Sequence, residues 1–188
     1  MKSGSESSGR TDVKGRGKMT VKAIVYTSNT GYTAEYARML GEETGLNVYP
    51  LDEAVQKLPE KAEVIYLGWV MGSLIRGLDK ARKRFAVQAA CGVLMGTSGS
   101  QIAELRKLNR LPESLPLFSL QGGFDMARLK GVYRLMMKFM TKALIRNIES
   151  KSVRSDEDEK ILGLLRNGGS CVCSENLSPL IEWYSGQK

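Results

Sequence analysis

The residues best equipped for chemistry lie together near position 30, in the stretch Thr27-Ser28-Asn29-Thr30-Gly31-Tyr32-Thr33. Thr27, Ser28, Thr30 and Thr33 carry short hydroxyls, and Gly31 permits a tight turn. An apolar, β-branched run over Val21–Thr27 leads into this stretch. A helical pattern leaves it: Tyr36, Ala37 and Leu40 recur at helical spacing, and Gly45 stops the run. A strand, a polar turn and a helix in that order aim free backbone N–H groups and the positive end of the helix dipole at an anion. The turn has no lysine, so it is not the G-x-x-x-x-G-K-[ST] nucleotide loop. Its donors suit a terminal phosphate monoester held without a counter-charge. The same residues would also serve as a plain turn before a helix.

Other chemistries are excluded by what is missing. The chain has no histidine, which removes a Ser-His-Asp triad and any histidine metal site. Its cysteines, Cys91, Cys171 and Cys173, are sparse and odd in number, as in a reducing compartment rather than a disulfide scaffold. Cys171 and Cys173 would share one face of a strand; without further ligands they read as core thiols, and no metal is expected. No apolar run is long enough to span a bilayer and no signal peptide is visible, so a cytoplasmic location is expected. The net charge of +8 is local: residues 1–18 carry +3 and residues 128–154 carry +7, which leaves −2 for the remainder. A nucleic-acid partner is therefore not indicated by the basic total. Residues 1–18, rich in Ser, Gly, Lys and Arg, are expected to form a disordered basic tail before a single domain over residues 19–188.

Within that domain, strands are expected at Val21–Thr27, Asn47–Leu51, Glu63–Val70, Ala90–Thr97 and Leu115–Gln121. Helices are expected at Thr33–Thr44, Ile75–Gln88 and Ser100–Leu108. Near-continuous apolar strands alternating with helices imply a parallel sheet covered on both faces, an α/β doubly wound fold of strand order 2-1-3-4-5.

The stretch around residue 30 resembles the FMN-phosphate loop of flavodoxins, S/T-x-T-G-x-T: Ser28, Thr30, Gly31 and Thr33 match, and Tyr32 stands where the family commonly has Asn. The resemblance implies a flavodoxin-like fold and FMN as cofactor, with Thr27, Ser28, Asn29, Thr30, Gly31, Tyr32 and Thr33 around the phosphate. In such a fold, ligands sit at the carboxyl ends of the strands near the switch point. The other loops there contain Trp69, Val70, Met71 and Gly72, and Thr97, Ser98 and Gly99. Trp69 is a flat plate suited to covering a flavin ring, or else an aromatic packed beneath its loop. The third loop has no aromatic, so Tyr32 or Phe124 would have to cover the other face.

A helical insertion at about residues 122–169 follows the fifth strand. From 130 to 147, basic residues fall every four positions (Lys130, Arg134, Lys138, Lys142, Arg146), while Val132, Tyr133, Met136, Met137, Phe139, Met140, Ala143 and Leu144 fill the rest of the helix. Three readings stay open: a core-packed helix with a solvated basic face, an interfacial helix on an anionic membrane, and a docking surface for an acidic protein. Next come a short acidic-capped helix at Lys160–Arg166, a strand at Ser170–Ser174 and a closing helix at Glu175–Gly186. The arrangement resembles long-chain flavodoxins, whose insertion splits the fifth strand. More narrowly it resembles the flavodoxin-like protoporphyrinogen dehydrogenases that pass electrons to menaquinone.

The expected function is FMN-dependent electron transfer with a redox partner protein or a quinone. The alternatives are a membrane-surface protoporphyrinogen IX dehydrogenase on the inner face of the membrane, and a binding module with an empty flavin site. A response-regulator receiver would need acidic residues after the first strand and an Asp ending the third; the chain has Thr27 and Gly68-Trp69 there.

Overall fold

Val64–Leu67 and Ala89–Leu94 carry no charged side chain, and every residue in both runs is buried. A strand that is apolar on both faces needs cover on both, which parallel crossover connections supply. The computed structural model, which describes residues 20–129 and 131–187, places these runs at the centre of a sheet. Its strands are β1 (Ala23–Thr27), β2 (Asn47–Pro50), β3 (Glu63–Met71), a two-residue β4 (Leu74–Ile75), β5 (Ala86–Leu94) and β6 (Leu117–Gln121). The order is β2-β1-β3-β5-β6, all parallel, with β4 antiparallel to the end of β3. Counted over the parallel strands alone this is 2-1-3-4-5, the flavodoxin-like doubly wound topology.

Helices α1 (Tyr32–Thr44), α2 (Leu51–Lys57), α3 (Leu78–Arg84) and α4 (Ile102–Leu108) follow β1, β2, β4 and β5. Two cores lie on opposite faces of the sheet. In one, Ile24, Ile65, Leu67 and Cys91 meet Tyr36 and Leu40 of α1 and Leu180 near the C-terminus. In the other, Val25, Val64, Tyr66 and Ala90 meet Leu51, Leu78, Ala81 and Leu105. The alternation along each strand is the two-residue period of a pleated sheet. Gly45 closes α1 in the left-handed region at φ 73° and donates its N–H to the Gly41 carbonyl.

The largest departure from expectation falls on 75–90. A helix over Ile75–Gln88 and a strand from Ala90 to Thr97 are replaced by β4, a short α3, and a β5 that begins at Ala86 and ends at Leu94. The Ala-rich stretch favours helix locally, but Ala86 and Val87 pair with Glu63 and Val64. A bulge at Gln88 then restores register, with Ile65 opposite Ala89.

After β6, a two-residue β7 (Gly123–Phe124) opens the insertion. It continues with α5 (Gly131–Glu149) and α6 (Asp156–Asn167) and is closed by β8 (Gly169–Ser170), antiparallel to β7. The insertion has its own small core, in which Phe124 and Leu129 meet Ile148, Leu162 and Leu165. Ser155 and Asp158 form a reciprocal capping box at the start of α6. The expected strand at Ser170–Ser174 is confined to its first residue, so the fifth strand is not resumed after the insertion. Cys171 is half-buried and Cys173 exposed, so neither is a core thiol. A 3-10 turn (Ser174–Leu177) and α7 (Ser178–Ser185) return the chain to the α1 face.

Helix α5 departs from the simple amphipathic pattern. Its inward side carries Tyr133, Met137, Leu144, Ile145 and the buried Ile148. Its outward side carries Val132, Leu135, Phe139 and Met140, exposed by 73, 60, 69 and 46%. The basic residues Arg134, Lys138, Lys142 and Arg146 are solvent-exposed along the strip between the two. Lys130 and the tail of residues 1–18 lie outside the described residues. Among the described residues, no helix is long and apolar enough to cross a membrane.

Candidate functional site

The loop after β1 is built as the hydroxyl and glycine pattern requires. Gly31, the N-cap of α1, takes φ 98°, where a side chain would strain the backbone. Its N–H donates to Ser28 Oγ at 3.1 Å. The N–H groups of Asn29, Thr30, Tyr32 and Thr33 meet no other described residue, and neither do the hydroxyls of Thr30 and Thr33. Asn29 Nδ2 is fully buried without a hydrogen-bond partner. A buried amide donor left unpaired costs about 1–3 kcal/mol. The Asn29 amide lies beside the unpaired first-turn N–H groups of α1.

One side of the loop faces an open cleft of about 100 Å³, below the roughly 300–1,000 Å³ usual for ligand sites. Asn29, Thr30, Tyr32 and Thr33 form one end. Trp69, Val70 and Met71 form a wall, and Leu94 and Met95 at the end of β5 form the floor. The insertion supplies the far side through Phe124, Leu129, Tyr133 and Met137. The cleft thus lies at the carboxyl ends of β1, β3 and β5, where doubly wound sheets hold their ligands.

Trp69 is held rigidly. Beyond it, Gly72-Ser73 turn back with φ 58° at both residues, as in a type I′ hairpin, and Arg76 N–H donates to the Trp69 carbonyl at 2.9 Å. Gly68 lets the returning strand approach: a Cβ there would stand 2.6 Å from Ile75 and 2.7 Å from the Arg76 carbonyl. Buried Asn109 pins the hairpin to α4, accepting from Ile75 N–H at 2.9 Å and donating to the Ser73 carbonyl at 2.9 Å. Tyr133 of α5 meets the Trp69 ring edge-on, with centroids 5.4 Å apart. The Arg76 guanidinium lies over the indole at 5.8 Å and donates to the Tyr133 hydroxyl at 3.3 Å.

Not every expected residue reaches this cleft. Thr27, Ser28 and Gly31 line a separate hollow on the other side of the loop, beside Asp52 and Lys80. Tyr66 uses its one proton on the Arg76 carbonyl at 2.7 Å, so Thr27 donates to the Tyr66 oxygen at 2.8 Å. Gly72 belongs to the hairpin turn. Thr97 turns to Glu157 of α6, Ser98 accepts from Gln121 N–H at 2.9 Å, and Gly99 N–H donates to the Ser119 carbonyl. Those three support the floor from outside, while the main-chain end of β5 and the insertion take the place assigned to them.

Tyr32 has a role that its departure from the usual Asn did not reveal. Its hydroxyl donates to the Gly169 carbonyl at 3.0 Å, fastening the insertion to α1. Gly123 makes that approach possible, because a Cβ there would stand 2.7 Å from the Tyr32 ring and 2.3 Å from the Gly169 carbonyl. One turn on, the fully buried Tyr36 donates to the Gln121 carbonyl at 2.5 Å and accepts from Asn176 at 2.7 Å. Burial holds the Tyr36 phenol up at about 12 and raises Tyr32 as well, with Arg128 pulling the other way.

Arg128 brings a cation beside a loop that carries none of its own. It comes from the insertion, lies over the Tyr32 ring at 5.4 Å, and brings Nη1 to 3.9 Å from where a Gly31 Cβ would stand. Sequence periodicity had no access to it, because it lies about a hundred residues from the loop and outside the helical stripe. No family model matches the chain, and neither does a curated protein or a solved structure.

Proposed function

We propose that the protein binds FMN in the cleft between the β1–α1 loop and Trp69 and works as an electron-transfer flavoprotein. The observation that carries this reading is the combination at one cleft of unpartnered donors (the loop N–H groups, Thr30, Thr33 and Asn29 Nδ2) with an apolar, aromatic wall. A phosphate needs the first and a planar ring system the second. When bound, FMN supplies the electron chemistry. The chain's part is to anchor the phosphate at the loop, orient the ring against Trp69 and Met95, and exclude water with the side chains of the insertion. No acid–base pair is required of it, in keeping with the absence of histidine.

The test is an absorbance spectrum of the purified protein before and after FMN addition, together with a fluorescence titration. Trp69 lines the cleft, whereas Trp183 packs against Phe118 and lines a different hollow, with Glu63, Phe85 and Val87. FMN should quench tryptophan emission, and Trp69→Phe should remove most of the quench. A quench that survives Trp69→Phe and disappears in Trp183→Phe would place the ring elsewhere. No spectral change with excess FMN would leave the non-catalytic binding module as the better account.

A second reading is favoured by one further observation, the outward stripe of Val132, Leu135, Phe139 and Met140 with exposed basic residues beside it. It makes α5 an interfacial helix and the protein a membrane-surface oxidoreductase, with protoporphyrinogen IX as donor and a quinone as acceptor. Basic side chains at an anionic surface contribute about 1 kcal/mol each, and the apolar stripe adds burial. Co-sedimentation with phosphatidylserine-containing vesicles should then fall as salt rises and be lost in Phe139→Ser, Lys142→Glu. Absence of binding at low salt would leave a carrier that docks on a partner protein.

A further inference from the structure

We propose that Arg128, carried by the insertion, is the counter-charge of the β1–α1 loop and gives the site its preference for a phosphorylated over a dephosphorylated flavin. This rests on the FMN reading above and concerns how that site selects its ligand.

The local geometry fixes Arg128 at the mouth of the loop. Asp125 starts a turn in which its Oδ1 accepts from Ala127 N–H at 2.8 Å and its carbonyl accepts from Arg128 N–H at 3.2 Å. On the other side, buried Leu129 anchors the chain in the core of the insertion. The backbone of Arg128 is therefore held from both directions. Its side chain runs over Tyr32, whose hydroxyl is bonded to Gly169, so the surface beneath the guanidinium is itself fixed. Gly31 N–H is taken by Ser28, while the N–H groups of Asn29, Thr30, Tyr32 and Thr33 make no hydrogen bond to a described residue, and Nη1 lies 3.9 Å from where a Gly31 Cβ would stand.

The charges around this point are unequal. Asp125 Oδ2 pairs with Arg128 Nε at 3.3 Å, and Glu35 in the first turn of α1 is the other acid near Tyr32. The Asp125 contact engages Nε and not the Nη1 edge that reaches over Gly31. A phosphate dianion at the loop would meet that edge while Asp125 continues to orient the guanidinium. Arginine suits this role because its planar fork offers several donors at once. The insertion thereby becomes a part of the ligand site and not only a cover over it.

The experiment measures FMN and riboflavin affinity by calorimetry at low and moderate ionic strength, for the native chain and for Arg128→Gln and Asp125→Asn. The native chain should prefer FMN, by a margin that shrinks with salt. Arg128→Gln, which keeps much of the stem over Tyr32, should weaken FMN about five- to tenfold, leave riboflavin unchanged and flatten the salt dependence. Asp125→Asn should raise FMN affinity. FMN bound as tightly by Arg128→Gln, with an unchanged salt slope, would overturn the proposal while leaving the FMN reading in place. Equal weakening of both flavins would also overturn it, as the mark of a packing role. A native chain that binds neither flavin would remove the FMN reading and this inference together.

Discussion

Gly77→Ala should destabilise the fold by about 3–4 kcal/mol, from overpacking added to a left-handed backbone. Gly77 is the N-cap of α3 with φ 82°, and a Cβ there would stand 2.2 Å from the Tyr66 hydroxyl and 2.5 Å from Thr27 Oγ1. Neither neighbour can retreat cheaply. Tyr66 is fully buried, and its hydroxyl joins the Arg76 carbonyl to Thr27. Burial pushes that phenol well above its usual range. Thr27 ends β1 immediately before the candidate phosphate loop, so displacing it should also weaken FMN binding. Gly45→Ala is the control: its φ of 73° is similar and nothing lies within 4 Å of the added carbon. That change should cost only about 1 kcal/mol, the backbone part alone. Urea unfolding of both variants decides the matter. Equal losses would mean that the Tyr66–Thr27 contact gives way freely.

Thr30→Ala combined with Thr33→Val should lower FMN affinity by about 2–5 kcal/mol, each lost hydrogen bond to a charged group contributing about 1–3 kcal/mol. The two positions are close enough that the losses need not add. Both hydroxyls lack a partner among the described residues, so their removal breaks no bond in the free protein. Thr33 is 1% exposed, and valine has its branched shape without the hydroxyl. Stability of the ligand-free chain should accordingly change by about 1 kcal/mol or less, the centre of the range for point substitutions. Riboflavin affinity should hardly change, because it has no phosphate to lose. Calorimetric titration reads all three quantities. Unchanged FMN affinity in the double variant would remove the phosphate from this loop and send the search to the hollow beside Lys80.

The sequence alone carried the topology, because the signals that set it are local. Five apolar runs too polar-poor to face water on either side demand a parallel sheet with helices on both faces, and the helical runs between them supply the crossovers. The turn at Gly31 was legible for the same reason, since a hydroxyl-rich loop between strand and helix needs no distant residue to form. The span from 75 to 90 was not. There, local helix propensity favours Ala86–Gln88, and only the edge of β3 makes strand the better state.

The cleft was legible in half. Asn29, Thr30, Tyr32, Thr33 and Trp69 follow directly from strands that end at the same level of the sheet. Tyr133 and Phe124 reach the same cleft, and Arg128 reaches the Tyr32 ring, from an insertion whose direction no periodicity encodes. That direction is set by long-range contacts: Gly122-Gly123 admitting the β7–β8 ribbon, and the Tyr32 and Tyr36 hydroxyls donating to Gly169 and Gln121. The two apolar sides of α5 were likewise beyond the sequence, because helical spacing shows which residues share a face but not which face another element covers. Local pattern therefore determined the sheet and the loop. Tertiary packing decided which side chains close over the loop, and with them the charge at its mouth.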